Sequence, residues 1–298
     1  MESKIHPIRY SFFEIKKIIR DLTAKYPFLN TQVIGKSAAG RDIFALSLGS
    51  AKEEVLFLAG DDPSYPITTL ILLKFCENVL NSILKGKELC GLDMRKALFG
   101  RRLTFIPLLN PDGAEIRLRG ETEFRYVSDS LIKLAQKEYK IWKSNLRGVE
   151  ISRNFKTGFE KRREQEKLQG IHSPKSGGFS GYIFESEAET IALAEFCRKR
   201  SINHFIHISA FGETVSYYNG ETNKKEGGKM AEIVSAVSQY SICPPFGDAD
   251  SNICNWFSSE FSAPSLCLKI GKTGDDSVNR LYEEYERLKE ALTLSSLF

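Results

Sequence analysis

The chain has 298 residues, of which 42% are hydrophobic and 27% charged, and its formal net charge is +4. This length allows one large domain with a full core, and this composition excludes a disordered or fibrous protein. The charge is too small and too dispersed to indicate a nucleic-acid partner. We therefore expect one domain over residues 1–298 rather than two small ones.

The N-terminal residues do not lead into an apolar segment, so the sequence predicts no signal peptide. No run approaches the roughly 18 consecutive apolar residues of a membrane span. The six cysteines show no Cys-x-x-Cys spacing and are dilute for a disulfide scaffold, so we expect buried, reduced thiols. Together these features predict a cytoplasmic protein without a membrane partner.

In chain order, the first predicted element is a helix. Ser11 and Glu14 have the spacing of a capping box, in which the two side chains satisfy backbone amides at a helix start. Apolar residues then recur at helical intervals as far as Leu22, and Pro27 ends the run. The pattern predicts a helix of about four turns.

Two continuously apolar runs follow, at residues 55–59 and 103–109, and both are typical of strands covered on two faces. A helix is predicted between them, over residues 68–84. The second strand is followed by Asn-Pro-Asp-Gly at 110–113, which predicts a turn.

The C-terminal half continues the alternation. Helices are predicted over 186–200 and 279–292, and strands over 205–208, 214–218 and 265–270. Strands that alternate with helices predict an α/β fold with a central mixed, mostly parallel sheet flanked by helices. In such sheets ligands bind beyond the carboxyl ends of the strands, so the residues just after these strands are the candidate site.

Four segments, at 34–43, 106–113, 142–155 and 181–190, resemble motifs of the zinc carboxypeptidase family in family order and spacing. Within that family the chain is most similar to the bacterial branch that cleaves γ-D-glutamyl to diamino-acid bonds in cell-wall peptides. The resemblance spans nearly the whole chain. It implies the carboxypeptidase fold and, for working members, a zinc-dependent peptidase.

The resemblance also implies where the chemistry should be. The family holds zinc through a histidine and a glutamate three residues apart and a later histidine, and a separate glutamate is the general base. At the three ligand positions this chain has Asp62, Tyr65 and Ser209, and at the general-base position it has Lys269.

These replacements change the chemistry. Zinc binds deprotonated nitrogen, sulfur or carboxylate donors, so the hydroxyls of Tyr65 and Ser209 are poor substitutes and Asp62 alone does not hold the ion. The Lys269 ammonium does not accept a proton from an attacking water. We therefore predict that no zinc or other cofactor is bound there and that no catalytic residue is intact.

Two hypotheses concern what replaces the metal. In the first, Lys269 extends to the former metal position and pairs with Asp62, with hydrogen bonds from Ser209 and Tyr65, because either charge buried alone would be unfavourable. The alternative is that both charged side chains point into water.

In the second hypothesis, a displaced metal site is built from His207, Asp62 and Cys267, since His207 shares a strand face with Ser209. His204 is three residues from His207 and therefore on the opposite face. The other interpretation, which we prefer, is that both histidines are ordinary core or surface imidazoles.

Arg153 is the main candidate for ligand binding, because a guanidinium binds a carboxylate through two parallel hydrogen bonds. The resemblance implies that role, with Ser152 in place of an asparagine that helps to hold the substrate carboxylate. Lys143 and Arg147 both lie near the position of the family's carbonyl-polarising arginine, and the choice between them is open. Either one is alternatively a surface cation.

Three aromatic residues, Tyr217, Tyr218 and Trp256, either line the cleft or pack in the core. Three functions remain. The first is a catalytically degenerate carboxypeptidase-family protein that binds an acidic peptide or a cell-wall fragment with a free carboxylate. The second is an active metallopeptidase with an unconventional metal site, and the third is an interaction protein with a vestigial cleft.

Overall fold

One eight-stranded sheet forms the centre of the protein. The structure is a computed structural model, and it describes residues 5–50, 52–120, 122, 127–218, 224–244, 252–272 and 278–298. The strands are β1 (Asn30–Lys36), β2 (Asp42–Leu48), β3 (Glu53–Leu58), β4 (Arg101–Ile106), β5 (Ile202–Ala210), β6 (Thr214–Tyr217), β7 (Ser241–Ile242) and β8 (Ser265–Ile270). Their order in the sheet is β1-β2-β4-β3-β5-β8-β6-β7.

Strands β4, β3, β5 and β8 run parallel at the centre, and the antiparallel pairings β1–β2, β2–β4 and β6–β8 flank them. The predicted single α/β domain with a mixed, mostly parallel sheet is confirmed in its fold. The helices are α1 (Phe12–Lys25), α2 (Ile67–Lys85), α3 (Met94–Ala97), α4 (Pro111–Arg119), α5 (Asp129–Glu138), α6 (Phe159–Leu168), α7 (Ala188–Arg198), α8 (Lys224–Ser238), α9 (Ile253–Phe261) and α10 (Leu281–Ser295).

The two faces of the sheet are covered by different helices, which is why the central strands are apolar throughout. On the first face, side chains of α1, α2, α8 and α10 pack on the sheet around Phe57. On the second face, α7 and α9 and the segment near Phe155 pack around Leu56 and Phe205. Side chains of one strand alternate between these faces, so the sheet residues at the site all belong to the second face.

The predicted helices and strands are present with small shifts of their ends. Helix α1 begins with the capping box: the Ser11 amide donates to the Glu14 carboxylate at 2.7 Å, and Ser11 Oγ accepts from the Glu14 amide. The predicted turn at 110–113 was wrong, because Asn110 caps α4 by accepting from the Gly113 amide at 2.9 Å. The same residues favour turns and helix starts, because an asparagine or aspartate side chain accepts from an unpaired amide and proline at the first helical position has no amide to pair.

Helix α2 is long and apolar enough to cross a membrane by length and composition, contrary to the expectation from apolar runs. Its position explains this composition: residues such as Leu70 and Phe75 are buried between the sheet and neighbouring helices.

All six cysteines are free thiols. Four of them are buried as expected, but Cys90 is exposed and Cys243 is half-buried, because neither lies on a core-facing position.

The aromatic packing on the first face generates a stability prediction. Phe57 is fully buried, and its ring centroid lies 5.5 Å from those of both Phe75 and Phe105. Phe57→Ala should lower the free energy of unfolding by about 3–5 kcal/mol, through lost burial and a residual cavity. Denaturant unfolding measures this. The control Phe99→Ala removes a ring that is 91% exposed, and it should change stability by less than about 0.5 kcal/mol. Similar losses for the two variants would contradict this account of the core.

Candidate active site

The candidate site lies where β3, β5 and β8 end at their carboxyl sides. The parallel pairing of β5 with β8 places His207 opposite Cys267 and Ser209 opposite Lys269. Because alternate residues of a strand share a face, these four side chains belong to the second face. His207 and Cys267 are buried, whereas Ser209 and Lys269 are half-buried one step nearer the cleft.

Asp62 and Tyr65 follow β3, and neither has the environment of a metal ligand. Asp62 Oδ1 accepts a hydrogen bond from the Ser64 amide at 2.8 Å. Burial, reinforced by the negative charges of Asp61 and Glu150, raises the pKa of Asp62 to about 6. The Tyr65 ring packs in the core of the first face, with its centroid 4.5 Å from that of Phe211.

The donor set at the positions implied by the family resemblance does not fit zinc. Asp62 is the only carboxylate among them, and one of its oxygens already serves a backbone amide. The other two donors are neutral hydroxyls, and that of Tyr65 lies against Gly271, where a Cβ would collide with it. Neutral hydroxyls do not replace imidazole and carboxylate ligands, and no reaction step is assigned to a metal here.

The hypothesis that Lys269 pairs with Asp62 was wrong. Both residues lie in the described part of the chain, and no ion pair joins them there. Lys269 lies on β8 between Ser209 of β5 and Thr214 of β6, and its charge acts on Cys267. The separation follows from the sheet, because Asp62 is held by its own turn while Lys269 is fixed two strands away.

A buried cluster lies beneath the cleft floor. His207 Nε2 is 2.8 Å from Asp61 Oδ1, and both side chains are at most 5% exposed. The ring of His207 and the sulfurs of Cys254 and Cys267 place their possible ligand atoms within 4.8 Å of one another. We call His207, Cys254 and Cys267 the His-Cys-Cys cluster. His207 and Cys267 come together as the displaced-site hypothesis expected, but Asp61 rather than Asp62 contacts the histidine, and Cys254 of α9 was missed.

Charge coupling within the cluster is strong. Burial opposes the charge on the imidazole, but Asp61 and the Cys267 sulfur outweigh it and raise the pKa of His207 to about 10. A hydrogen bond from Cys254, together with His207 and Lys269, lowers the pKa of Cys267 to about 5 although burial acts in the opposite sense. Burial raises the pKa of Cys254. The pKa values of His207 and Cys267 are thus shifted in opposite directions, each partly by the other group.

The candidate ligand-binding residues lie on the loop that precedes α6. Arg153 Nε is 2.8 Å from Glu150 Oε1, and the other Glu150 oxygen accepts from the Gly178 amide at 2.7 Å. Ser152 is next to it in a short 3-10 helix, Ile151–Arg153, and is half-buried. Glu150 is near enough to raise the pKa of Asp62, so the Arg153–Glu150 pair and Asp62 belong to one neighbourhood.

Lys143 and Arg147 flank this loop at different depths. Arg147 is 56% exposed, and its Nη1 lies 3.7 Å from Glu187. Lys143 is half-buried, and its amide donates to the Ser176 carbonyl at 2.6 Å.

Of the three aromatic candidates, Trp256 is a core residue: its ring centroid is 4.5 Å from that of Phe155. Tyr218 is also buried, and Tyr217 is half-buried beside α8.

Two buried carboxylates that the sequence analysis missed are hydrogen-bonded to the loop through one side-chain amide. Asn145 Nδ2 donates to Glu187 at 2.8 Å and to Glu189 at 3.1 Å. Burial, with the negative charge of Asp112, raises the pKa of Glu189 to about 7. The signal was present in the motif at 181–190, but motif letters do not reveal that two carboxylates share one amide.

Comparisons with known proteins agree with this geometry. The sequence profile of the zinc carboxypeptidase family matches residues 15–264. The γ-D-glutamyl-L-diamino acid endopeptidase 1 of Lysinibacillus sphaericus is 24% identical over 269 residues, which cover 88% of this chain and 65% of that protein. The uncharacterised protein YqgT of Bacillus subtilis strain 168 is 25% identical over 272 residues, covering 88% and 70%. The chain thus spans about two thirds of the length of these relatives.

Among solved structures, thrombin activatable fibrinolysis inhibitor superimposes with a TM-score of 0.76. The match covers 99% of this chain and 75% of that one, at 17% sequence identity. At this identity the likeness shows the fold alone.

The pKa of Glu189 generates a prediction. Because the folded-state pKa of about 7 lies above the ordinary value of 4.5 for a glutamate, the fold favours the protonated carboxyl, and native stability should fall as pH rises through this interval. Glu189→Gln removes that titration. It should raise the free energy of unfolding by about 1–3 kcal/mol at about pH 8 and by little near pH 4.5.

Denaturant unfolding across this pH range tests the prediction. Glu195→Gln is the matched control, because Glu195 lies on the same helix but is half exposed beside Lys199, and it should show no such gain at high pH. A Glu189→Gln effect that is independent of pH would contradict the raised pKa.

Proposed function

Because the chain belongs to the zinc carboxypeptidase family, we propose that it is a catalytically degenerate member that has kept the fold and the cleft but does not hydrolyse peptides. The cleft then binds an acidic peptide or a cell-wall fragment through a free carboxylate. The observation that carries the proposal is the donor set at the ligand positions: one carboxylate tied to a backbone amide and two neutral hydroxyls.

The general-base position supports the same conclusion. Lys269 stands there, and an ammonium has no lone pair with which to take a proton from water. Its charge contributes to lowering the pKa of Cys267, and no ion pair joins it to Asp62 among the described residues. Loss of the metal donors and loss of the base are independent, and each by itself removes the hydrolytic step.

The ligand class follows from Arg153 and from the relatives. Arg153 is 29% exposed and is oriented by Glu150, so it presents a fixed guanidinium near the cleft. Such a group binds a carboxylate with charge-assisted hydrogen bonds. The endopeptidase of Lysinibacillus sphaericus is named for γ-D-glutamyl-L-diamino acid peptides, and we extend that substrate class to this chain as a binding preference.

The second candidate, an active hydrolase with an unconventional metal site, would have to use the His-Cys-Cys cluster. All three residues are buried, with exposures of 4%, 0% and 5%. A peptide bond does not reach a metal held at that depth, because a catalytic metal needs an open coordination position at the substrate. The geometry therefore favours the non-hydrolytic function.

The absence of hydrolysis is testable directly. The full chain, incubated with a γ-D-glutamyl-diamino-acid peptide and added Zn²⁺ or Co²⁺, should release no cleavage products by mass spectrometry. The endopeptidase of Lysinibacillus sphaericus serves as the positive control on the same peptide. Metal-dependent cleavage by this chain at a rate comparable to that control would overturn the proposal.

Binding is tested by calorimetry with the same peptide. Arg153→Ala should weaken binding by roughly 10- to 100-fold, the value of one or two charge-assisted hydrogen bonds. Arg20→Ala, which removes an exposed arginine from α1, should leave the affinity unchanged. Arg153→Lys should give an intermediate loss, since an ammonium keeps the charge but not the fork. Saturable binding that is insensitive to Arg153 would place the ligand elsewhere, and no binding at all would favour an interaction protein with a vestigial cleft.

A further inference from the structure

The His-Cys-Cys cluster is a second set of metal-binding groups, separate from the positions of Asp62, Tyr65 and Ser209. It joins three elements that are distant in sequence: His207 comes from β5, Cys267 from β8 and Cys254 from the first turn of α9. We propose that these three residues form a buried structural site for a thiophilic divalent cation, with zinc as the preferred ion.

The donor distances fit such an ion. All the ligand atoms lie within 4.8 Å of one another. Donors of a tetrahedral zinc, at bond lengths of about 2.0 to 2.3 Å, are about 3.3 to 3.8 Å apart, so the cluster closes on the ion through side-chain shifts of about an ångström. Two sulfurs and one nitrogen with one small added ligand give the coordination number of four that zinc takes.

The second shell has the arrangement typical of metal-bound histidine. Nε2 of His207 is engaged by Asp61 at 2.8 Å, which leaves Nδ1 as the nitrogen for the metal. Metal-ligating histidines usually donate their other ring N–H to a carboxylate or a carbonyl, and this fixes the tautomer and the ring orientation. Asp61 is itself held, because its carbonyl accepts from Asn110 Nδ2 at 3.1 Å. Asp61 is therefore a positioning residue for the site.

Charge selects the ion. Two thiolates and a neutral imidazole balance one divalent cation, so the loaded cluster is neutral, which burial requires. A monovalent copper ion would leave a net negative charge on the cluster, next to the negative carboxylate of Asp61. Soft thiolate donors at the same time disfavour magnesium and calcium, which take oxygen ligands.

The cluster lies directly below half-buried positions of the two strands. His207 on β5 lies two residues before the half-buried Ser209, and Cys267 on β8 lies two residues before the half-buried Lys269. Two residues of strand span about 7 Å, so the site is one layer of side chains below the cleft floor.

The decisive experiment uses the wild-type full chain, so it does not depend on the folding of a variant. The reduced protein is loaded with Zn²⁺, desalted and analysed for metal content and by X-ray absorption at the zinc edge. We expect one zinc per chain with two sulfur neighbours and at least one imidazole nitrogen. Three outcomes would overturn the proposal. They are the absence of bound zinc, a Cys254–Cys267 disulfide that persists under the reducing conditions, and bound zinc with no sulfur neighbour.

Variants then assign the ligands. Cys254→Ser and Cys267→Ser should each reduce the thiolate-to-metal charge-transfer absorption of the Co²⁺-loaded protein by about half or more, and the double variant should abolish it, whereas Cys197→Ser, which changes another fully buried thiol of the same core, should retain it. Asp61→Asn should weaken zinc binding by about 10- to 100-fold with the sulfur ligands unchanged. Ser209→Ala should leave the affinity for zinc unchanged. A loss of zinc affinity in this variant would place the metal in the cleft and would reject the cluster as the binding site. The peptide-cleavage assay does not bear on these results, so the two proposals fail separately.

Discussion

The parallel pairing of β5 with β8 is the constraint on which the rest of the site depends. Its register sets His207 beside Cys267 and Ser209 beside Lys269, and the two-residue period of a strand puts all four on one face. A slip of one residue would move these side chains into the opposite core and bring Ile206 and Leu268 to the cleft. The apolar alternation of both strands therefore maintains the chemistry as well as the packing.

Burial gives the polar groups below the cleft their properties. The same low-polarity surroundings act on three acids or bases in different ways, according to their partners. Asp62 and Glu189, which are near other carboxylates, have raised pKa values, whereas the pKa of Cys267 is lowered by the hydrogen bond with Cys254 and by His207 and Lys269. Burial lowers the pKa of His207, but Asp61 and the Cys267 sulfur outweigh it.

The scaffold and the catalytic groups are physically separable in this fold. The sheet is stabilised by apolar residues that alternate into two cores, and the helices by capping groups such as Ser11 and Asn110. Ser209 and Lys269, by contrast, lie half-buried at strand ends, where a change of side chain alters no packing layer. A member of the family can therefore exchange its metal donors and its base while its architecture persists, as fold and function are set by different atoms.

The sequence by itself determined the class of fold, four of the ten described α-helices, the four central strands and the family, because periodicity and capping are local and the motifs are contiguous. Which residues stand at the metal and general-base positions stays a prediction from the family resemblance. Only the tertiary structure decided what those residues contact: Asp62 binds its own turn, Lys269 acts on Cys267, and Cys254 arrives from α9 to join His207. Contacts between elements far apart in the chain depend on strand order and helix placement, and no local spacing encodes the distance between two side chains that meet only when the sheet is assembled.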